Sequence, residues 1–343
     1  MPSSQLCVPV TESSQPSAAR REAVRLAQQE GLDEQEISKV ALVVTELATN
    51  LVKHATRGEL LIRPIERNGT AGIEVLSLDR GPGIHDVARA LGDGYSTAGS
   101  PGSGLGALQR TAGEFDLYSQ AGKGTVVVAR IWSRHSPTLS SHGGALGVVH
   151  QAKPGETVCG DQWTVRWFAD GWTCALADGL GHGMIAAAAA QPAVAAVRQA
   201  EGKRSAIELL RAAHEAAKPT RGAAFAVAVL DTEVAMVRFS GIGNIAAVVL
   251  NGDERRHLVS HNGILGHECR SATEYTQPWN KNALLLLHSD GIGTHWDFNQ
   301  YPGLLSRDPS LIAGILYRDF TRGRDDATVL VVKDPCRTIS TEF

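Results

Sequence analysis

Apolar residues recur every three or four positions at Ile37, Val40, Ala41, Val44, Leu47, Ala48 and Leu51. That period predicts an amphipathic helix. Asp33, with Glu36 three residues on, forms a capping-box arrangement at its start. A preceding helix is expected over about residues 16–30, closed by Gly31 as its C-cap. The pattern then turns strand-like over about residues 59–66 and 73–79. A short helix follows Gly104, and two further strands follow it at about 115–119 and 125–131.

Residues 133–147 (SRHSPTLSSHGGALG) break both periods, being rich in Ser and Gly and carrying Pro137. Such a stretch reads as a linker. Beyond it, strands are expected at about 164–168, 173–177, 224–230, 235–239, 245–250, 284–288 and 327–332. Helices are expected at about 182–199, 205–218 and 310–320. Many strands with a few grouped helices make the chain α+β, its second half a sheet sandwich flanked by helices. The expected organisation is a domain over residues 1–134, a linker over 135–146, a domain over 147–336 and a tail over 337–343.

Bulk properties narrow the function class. A length of 343 residues suits about two domains. The net charge of −3 gives no basic footprint for nucleic acid. The apolar run at 185–197 is mostly alanine and holds Gln191 and Pro192. It is too short to span a bilayer and reads as a buried helix. The 5 cysteines show no Cys-x-x-Cys pair, which points to free thiols in a reducing cytoplasm. The polar N-terminus lacks a basic-then-apolar signal. No internal repeat is evident.

Two sets of acidic and glycine residues carry the candidate chemistry. In the first half, Glu46, Asn50 and His54 are spaced to share one helix face. The Asn50 carbonyl oxygen can ligate Mg²⁺, and Glu46 can accept a proton from an attacking hydroxyl. Asp79 ends a strand and is followed by Gly81 and Gly83; its carboxylate can take the exocyclic amine of adenine. Gly102, Gly104 and Gly106 open a helix whose amides would face phosphate. The stretch 93–101 between the glycine boxes could fold as a lid. Each piece alone is more commonly a turn or a loop. Their order on helix, strand end and helix start is what points to ATP.

These residues resemble the GHKL family of ATP-binding folds over about residues 15–132. The resemblance implies helices layered on a mixed sheet, Asn50 as the Mg²⁺ ligand and Glu46 as the general base. It also implies Asp79 as the adenine contact, with Gly122-Lys123-Gly124-Thr125 closing the pocket. The short lid running into the glycine box resembles the RsbT-type serine/threonine kinases, which act on STAS-domain proteins of the stressosome. His54 has a phosphate-contacting role and a helix-packing role open to it.

In the second half, Asp161, Asp178, Asp290 and Asp325 recur beside small residues, in Ala-Asp-Gly-Leu-Gly-His-Gly, Ser-Asp-Gly and Asp-Asp-Ala-Thr. Hard oxygen donors suit two Mn²⁺ or Mg²⁺ ions, and no His/Cys cluster offers a zinc alternative. The Gly179 carbonyl could join them. Metal-activated water would need no protein nucleophile. Any one Asp-Gly, taken alone, is better read as a turn.

From about residue 147 to 333 the set resembles the SpoIIE-like and RsbX-like branch of the metal-dependent type 2C serine/threonine phosphatases. By that resemblance Asp178 bridges both metals and acts catalytically, with Gly179 on one ion and Asp290 and Asp325 on the other. Asp161 would hold a metal directly or through water, and Asp326 would lie behind the ligands. His182 could reach phosphate or cap the following helix. Arg166 is the weak candidate for a phosphate clamp. Trp163, Trp167 and Trp172 read as core packing.

Together the two halves imply a cytoplasmic bacterial signalling enzyme that binds ATP and divalent ions. It would act as kinase and phosphatase on STAS-domain proteins of a sigma-factor or stressosome pathway, without nucleic acid or membrane. The alternatives are a nucleotide-gated anti-sigma or partner-binding module without kinase turnover, and a phosphatase carrying an ATP sensor.

Overall fold

The computed structural model describes residues 5–92, 104–133, 145–252, 254–269 and 272–333. Gly102, the 93–101 stretch, residues 135–144 of the expected linker and the 337–343 tail lie outside them. The described chain forms two compact units. One gathers the described residues of 3–141 with 297–319, and the other those of 142–296 with 320–343.

The first unit begins with β1 (Leu6–Val10), α1 (Gln15–Gln29), α2 (Glu34–His54), β2 (Gly58–Arg67) and β3 (Thr70–Leu78). It continues with α3 (Val87–Leu91), α4 (Leu105–Thr111), β4 (Glu114–Gln120) and β5 (Gly124–Trp132). The expected capping box forms: Asp33 Oδ1 accepts from the Glu36 amide at 2.8 Å and Glu36 Oε2 from the Asp33 amide at 3.0 Å. The strands lie in the order β1-β2-β3-β5-β4. Every neighbouring pair is antiparallel, where the family resemblance implied a mixed sheet. Hairpins join β2 to β3 and β4 to β5, and hairpin neighbours run antiparallel.

Alternation divides this sheet into two buried faces. Leu60, Ile62, Ile73, Val75, Val127, Ala129 and Ile131 pack with Val40, Val44, Leu47 and Leu51 of α2 and the alanines of α1. The opposite face carries Leu61, Leu76, Leu78, Val126 and Val128, all buried as well. It also carries a row of charges in cross-strand register, Arg63 opposite Glu74, Glu74 opposite Arg130 and Arg130 opposite Glu114.

The second unit comprises β6 (Ala145–Gln151), β7 (Asp161–Phe168), β8 (Gly171–Gly179), α5 (Gly183–Gln199), α6 (Ala206–Ala217) and β9 (Ala223–Asp231). Then come β10 (Met236–Ile242), β11 (Ala246–Asn251), β12 (Glu254–Leu258), β13 (Tyr275–Pro278) and β14 (Leu284–His288), and after an intervening segment β15 (Ala327–Lys333). Two antiparallel sheets, β13-β10-β9-β8-β7 and β12-β11-β14-β15-β6, form a sandwich. Between them lie Trp172, Leu176, Leu230, Phe239, Val249, Leu287 and Leu330, with Trp163 and Trp167 packed against this core. Trp172 meets Trp279 edge-on at 5.4 Å. On the outer face of the first sheet, Phe225, Val227 and Val229 pack under Ala190, Val194 and Val197 of α5 and Leu209, Leu210 and Ala213 of α6.

Helix α7 (Pro309–Phe320) lies between β14 and β15 in sequence. Through residue 319 it belongs to the first unit. The sequence reading had placed these residues with the second domain. Leu311, Ile312, Ile315 and Leu316 are fully buried. Gly314 lets the helix lie close on the second sheet face, because a Cβ there would meet Leu78, Leu76 and Val126 at 2.9, 3.0 and 3.2 Å.

The charge row is completed by the same segment. Glu74 binds Arg63 Nε and Arg130 Nε, each at 2.7 Å. Arg130 donates to both oxygens of Asp308, at 2.7 and 2.8 Å, and the Ser310 hydroxyl donates to Glu74 at 2.8 Å. Burial pushes the Glu74 carboxyl up, but Arg63 and then Arg130 outweigh that, and it falls to about 2.

Candidate active sites

In the first unit, Glu46 and Asn50 lie half-buried one turn apart on α2, and His54 is exposed in its last turn. The core stripe of α2 faces the sheet, so these polar residues occupy its flank. Asp79 follows β3. Its Oδ1 accepts from the Gly81 amide at 2.6 Å and its Oδ2 from the Thr125 amide at 3.2 Å. The Asp79 and Thr125 backbones also pair, so this corner is fixed from both sides. Burial raises the Asp79 carboxyl, opposed by the Gly81 amide, Arg318 and the Thr125 amide.

The glycines are needed for space. A Cβ on Gly81 would meet the His54 carbonyl at 2.8 Å, which ties this turn to the end of α2. A Cβ on Gly83 would strike the Gln120 carbonyl, and one on Gly106 the Leu91 carbonyl. Gly124 has φ +80°, and a Cβ there would run into the Asp79 carbonyl. Gly124→Ala is therefore expected to cost at least about 1 kcal/mol in backbone strain and to weaken ADP binding. Thermal denaturation with and without ADP checks this; an unchanged ADP-dependent shift would refute it.

Asp79, Gly81, Gly83, Gly124 and Thr125 thus form one corner, with the end of α2 beside it. Gly104 is the N-cap of α4, and Gly106 lies inside that helix, packed on the end of α3.

In the second unit, β7 and β8 place Asp161 directly opposite Asp178. Asp161 is fully buried, and its Oδ2 accepts from the Ser289 hydroxyl at 2.7 Å. Ser289 Oγ in turn accepts from the Thr328 amide at 3.0 Å. Asp290 Oδ2 accepts from Asn244 Nδ2 at 2.9 Å. Asp326 Oδ1 takes the Lys153 amide at 2.9 Å, while Asp325 Oδ1 takes the Asp326 amide at 3.0 Å. Asp326 is thereby pinned by backbone.

The aspartates feel one another's charge. Asp178 is raised well above the carboxylate range, first by burial and then by Asp161, Asp290, Asp325 and Asp326. Burial also raises Asp161, with Ser289 and Thr328 opposing and Asp326 and Asp290 adding to the rise. Among the described residues, however, no group of three or more His, Cys, Asp or Glu side chains closes at metal-ligand spacing. The donor set nonetheless fits a hard divalent ion. It is all oxygen and anionic, and Asp161 Oδ1 is buried without a hydrogen-bond partner. Gly179 packs so tightly on α5 that a Cβ would strike the Ala186 carbonyl.

Other candidates resolve differently. His182 takes the N-cap position of α5, but its side chain makes no cap and instead pairs with Glu156 at 2.7 Å. Arg166 Nη1 donates to the Ala200 and Val197 carbonyls at the end of α5, so it is no clamp for phosphate. Two arginines that sequence reasoning passed over lie nearer. The Arg221 guanidinium stands beside Gly181, and Arg322 opposes the rise of the Asp290 carboxyl. Ser289 was legible only as a motif neighbour, and Asn244 carried no signal.

Helices α1 and α2 on one face of a five-stranded sheet, with a glycine-walled acidic corner, match a histidine kinase-like ATPase domain; that family model covers residues 10–131. The two-sheet sandwich with aspartates at its strand ends falls where the model of stage II sporulation protein E (SpoIIE) covers residues 169–334. Through its first part the chain belongs to the family of the serine/threonine-protein kinase RsbT. RsbT of Bacillus subtilis (strain 168) is 33% identical over 130 residues, which are 38% of this chain and 98% of RsbT. Among solved structures, a chain from the bacterial stressosome, a modular system adapted to control secondary messenger signaling, matches with a TM-score of 0.52 and 25% identity. It covers 55% of this chain and 98% of that one. A weaker likeness is to RsbX in complex with magnesium, with a TM-score of 0.47 and 21% identity over 55% of this chain and 93% of that one.

Proposed function

We propose that this chain both adds and removes a phosphate on signalling proteins. The first unit transfers the γ-phosphate of ATP to a serine or threonine of a STAS-domain partner. The second removes such a phosphate with the help of Mn²⁺ or Mg²⁺. The observation that carries this reading is the presence of two acidic constellations: Asp79 held by the amides of Gly81 and Thr125, and Asp178 opposite Asp161 in strand register, its carboxyl raised by burial and then by Asp161, Asp290, Asp325 and Asp326. The membership in the RsbT family supports the kinase half, and the match to SpoIIE supports the phosphatase half. The stressosome likeness favours a partner-switching pathway. No helix among the described residues is long and apolar enough to cross a membrane.

In the first unit, Asp79 accepts the adenine amine and its neighbouring glycines let backbone approach the ring. Asn50 offers its carbonyl oxygen to Mg²⁺, and the Gly104 turn brings amides towards phosphate. Glu46, one turn from Asn50, takes the proton from the attacking hydroxyl. In the second unit, Asp161, Asp178, Asp290, Asp325 and the Gly179 carbonyl would hold the divalent ions. When bound, those ions would activate water and neutralise phosphoryl charge. Ser289 orients Asp161, Asn244 orients Asp290, and Arg221 and Arg322 supply positive charge near the pocket.

The test is direct. The full chain is incubated with ATP and a STAS-domain protein, and phosphate on the partner is followed by mass spectrometry. Glu46→Gln is expected to lose transfer by about 10²-fold or more while still binding ADP. Transfer at the wild-type rate in that variant would remove Glu46 from the mechanism. A wild-type chain that binds ATP and partner yet transfers nothing would leave a nucleotide-gated binding module.

A further inference from the structure

The segment 297–319 reaches both walls of the proposed adenine corner. At one wall, Arg318 Nη1 donates to the Asp79 backbone carbonyl at 2.9 Å, and the Arg80 side chain donates back to the Arg318 carbonyl. At the other, Lys123 Nζ donates to the Gln300 carbonyl at 2.9 Å and stands 4.8 Å from the centre of the Tyr301 ring.

Arg318 is itself held. Its Nε and Nη2 bind Asp319 Oδ1 and Oδ2 at 2.9 and 2.7 Å, and the Tyr301 hydroxyl donates to Asp319 Oδ2 at 2.9 Å. Arg318 is only 5% exposed. A run of charge-assisted bonds, Tyr301 to Asp319 to Arg318, therefore ends on the backbone of Asp79. An arginine suits this place because its planar fork can satisfy a carboxylate and a carbonyl together.

Resting on the ATP reading above, we propose that Arg318 is a positioning residue for adenine recognition. It fixes the Asp79 backbone so that the carboxylate, already aligned by the Gly81 and Thr125 amides, meets the exocyclic amine of adenine. The nucleotide site, whose other residues lie between Glu46 and Thr125, is thus completed from a segment that follows Asp290 and precedes Asp325 in the chain. Asp79 as an acceptor favours adenine, whose 6-position donates, over guanine, whose 6-position accepts. Loosening Asp79 should therefore erode that preference, whereas a general loss of folding would lower the number of sites and leave the preference intact.

The experiment measures binding of fluorescent ADP and GDP to the full-length chain, with melting temperature followed alongside. Arg318→Met is expected to weaken ADP by about ten-fold, the worth of a bond to a charged group, with GDP unchanged. An unaltered ADP-over-GDP preference in that variant overturns the proposal. Should Arg318→Met fail to fold, Tyr301→Phe removes only the hydroxyl that steadies Asp319. It is expected to weaken ADP two- to three-fold with GDP unchanged, and an unmoved preference again overturns the proposal. A wild-type chain that binds neither ADP nor ATP overturns both this role and the reading beneath it. A wild-type chain that binds ADP, with variants that bind it equally well, overturns this role alone.

Discussion

Asp178→Asn is expected to yield a folded chain that releases phosphate from phosphoserine at a rate lower by about 10³-fold or more. The size follows from losing several kcal/mol of charge stabilisation at the proposed two-metal centre, at about 1.4 kcal/mol per factor of ten. Asp178 stands opposite Asp161 in register and feels Asp290, Asp325 and Asp326 as well. Without a cation, its charge is a burden on the fold. In the metal-free chain its raised carboxyl contributes stability that is full below the ordinary carboxylate range and is lost as pH rises through the folded-state value. The amide removes this burden. Metal-free Asp178→Asn should therefore melt no lower than wild type at neutral pH, while Mn²⁺ should raise the melting temperature of wild type only. ADP binding should be unaffected. Phosphate release within ten-fold of wild type, or an intact Mn²⁺ shift, would remove Asp178 from the centre of the site.

The second large effect concerns stability. Glu74→Ala should destabilise the first unit by about 3–5 kcal/mol, the usual cost of orphaning buried charge. The side chain is fully buried between Arg63 and Arg130, so truncation leaves two guanidinium groups without their shared partner. The same carboxyl sets an acid limit. Its folded value of about 2 lies below the ordinary 4.5. Its stabilisation is thus complete above about 4.5 and is lost as pH falls through about 2. Replacing Arg63, Glu74 and Arg130 together with apolar residues of similar size should recover only part of the loss, since the three buried charges go together but Asp308 and the buried Ser310 hydroxyl lose their partners. Urea denaturation of the single and triple variants decides this. A single variant within 1 kcal/mol of wild type would show that the row is not buried in solution.

The long helices and central strands could be read from the chain because each carries one strong period. Helix α2 and its capping box, the four-leucine run of β14 and the alanine-rich α5 all fall where the pattern put them. Four strands were missed, β1, β6, β12 and β13, and all four are edge strands. Edges need less apolar patterning: β1 carries Pro9, β12 reads Glu-Arg-Arg-His-Leu, and β13 ends on Pro278. Residues Ala145 and Leu146 of β6 sat inside the Ser/Gly-rich stretch taken for a linker.

The motif aspartates and glycines announced themselves through short local strings. What supports them did not. Ser289 reaches Asp161 across 128 residues, and Arg130 meets Glu74 across 56. Such pairings depend on strand register, which a single sequence does not display. Arg318 was invisible for the same reason: nothing near it in the chain resembles a nucleotide motif.

Because Asp308 meets Arg130 only 178 residues further along, the first unit cannot finish during its own synthesis. At typical ribosomal speeds of about 5–20 residues per second, roughly 9–36 s separate the two. For that interval the nascent sheet shows water the greasy side bearing Leu61, Leu76 and Leu78. On the positioning role proposed for Arg318, full nucleotide recognition arrives only once translation has passed Tyr301 and the helix Pro309–Phe320 that carries Arg318.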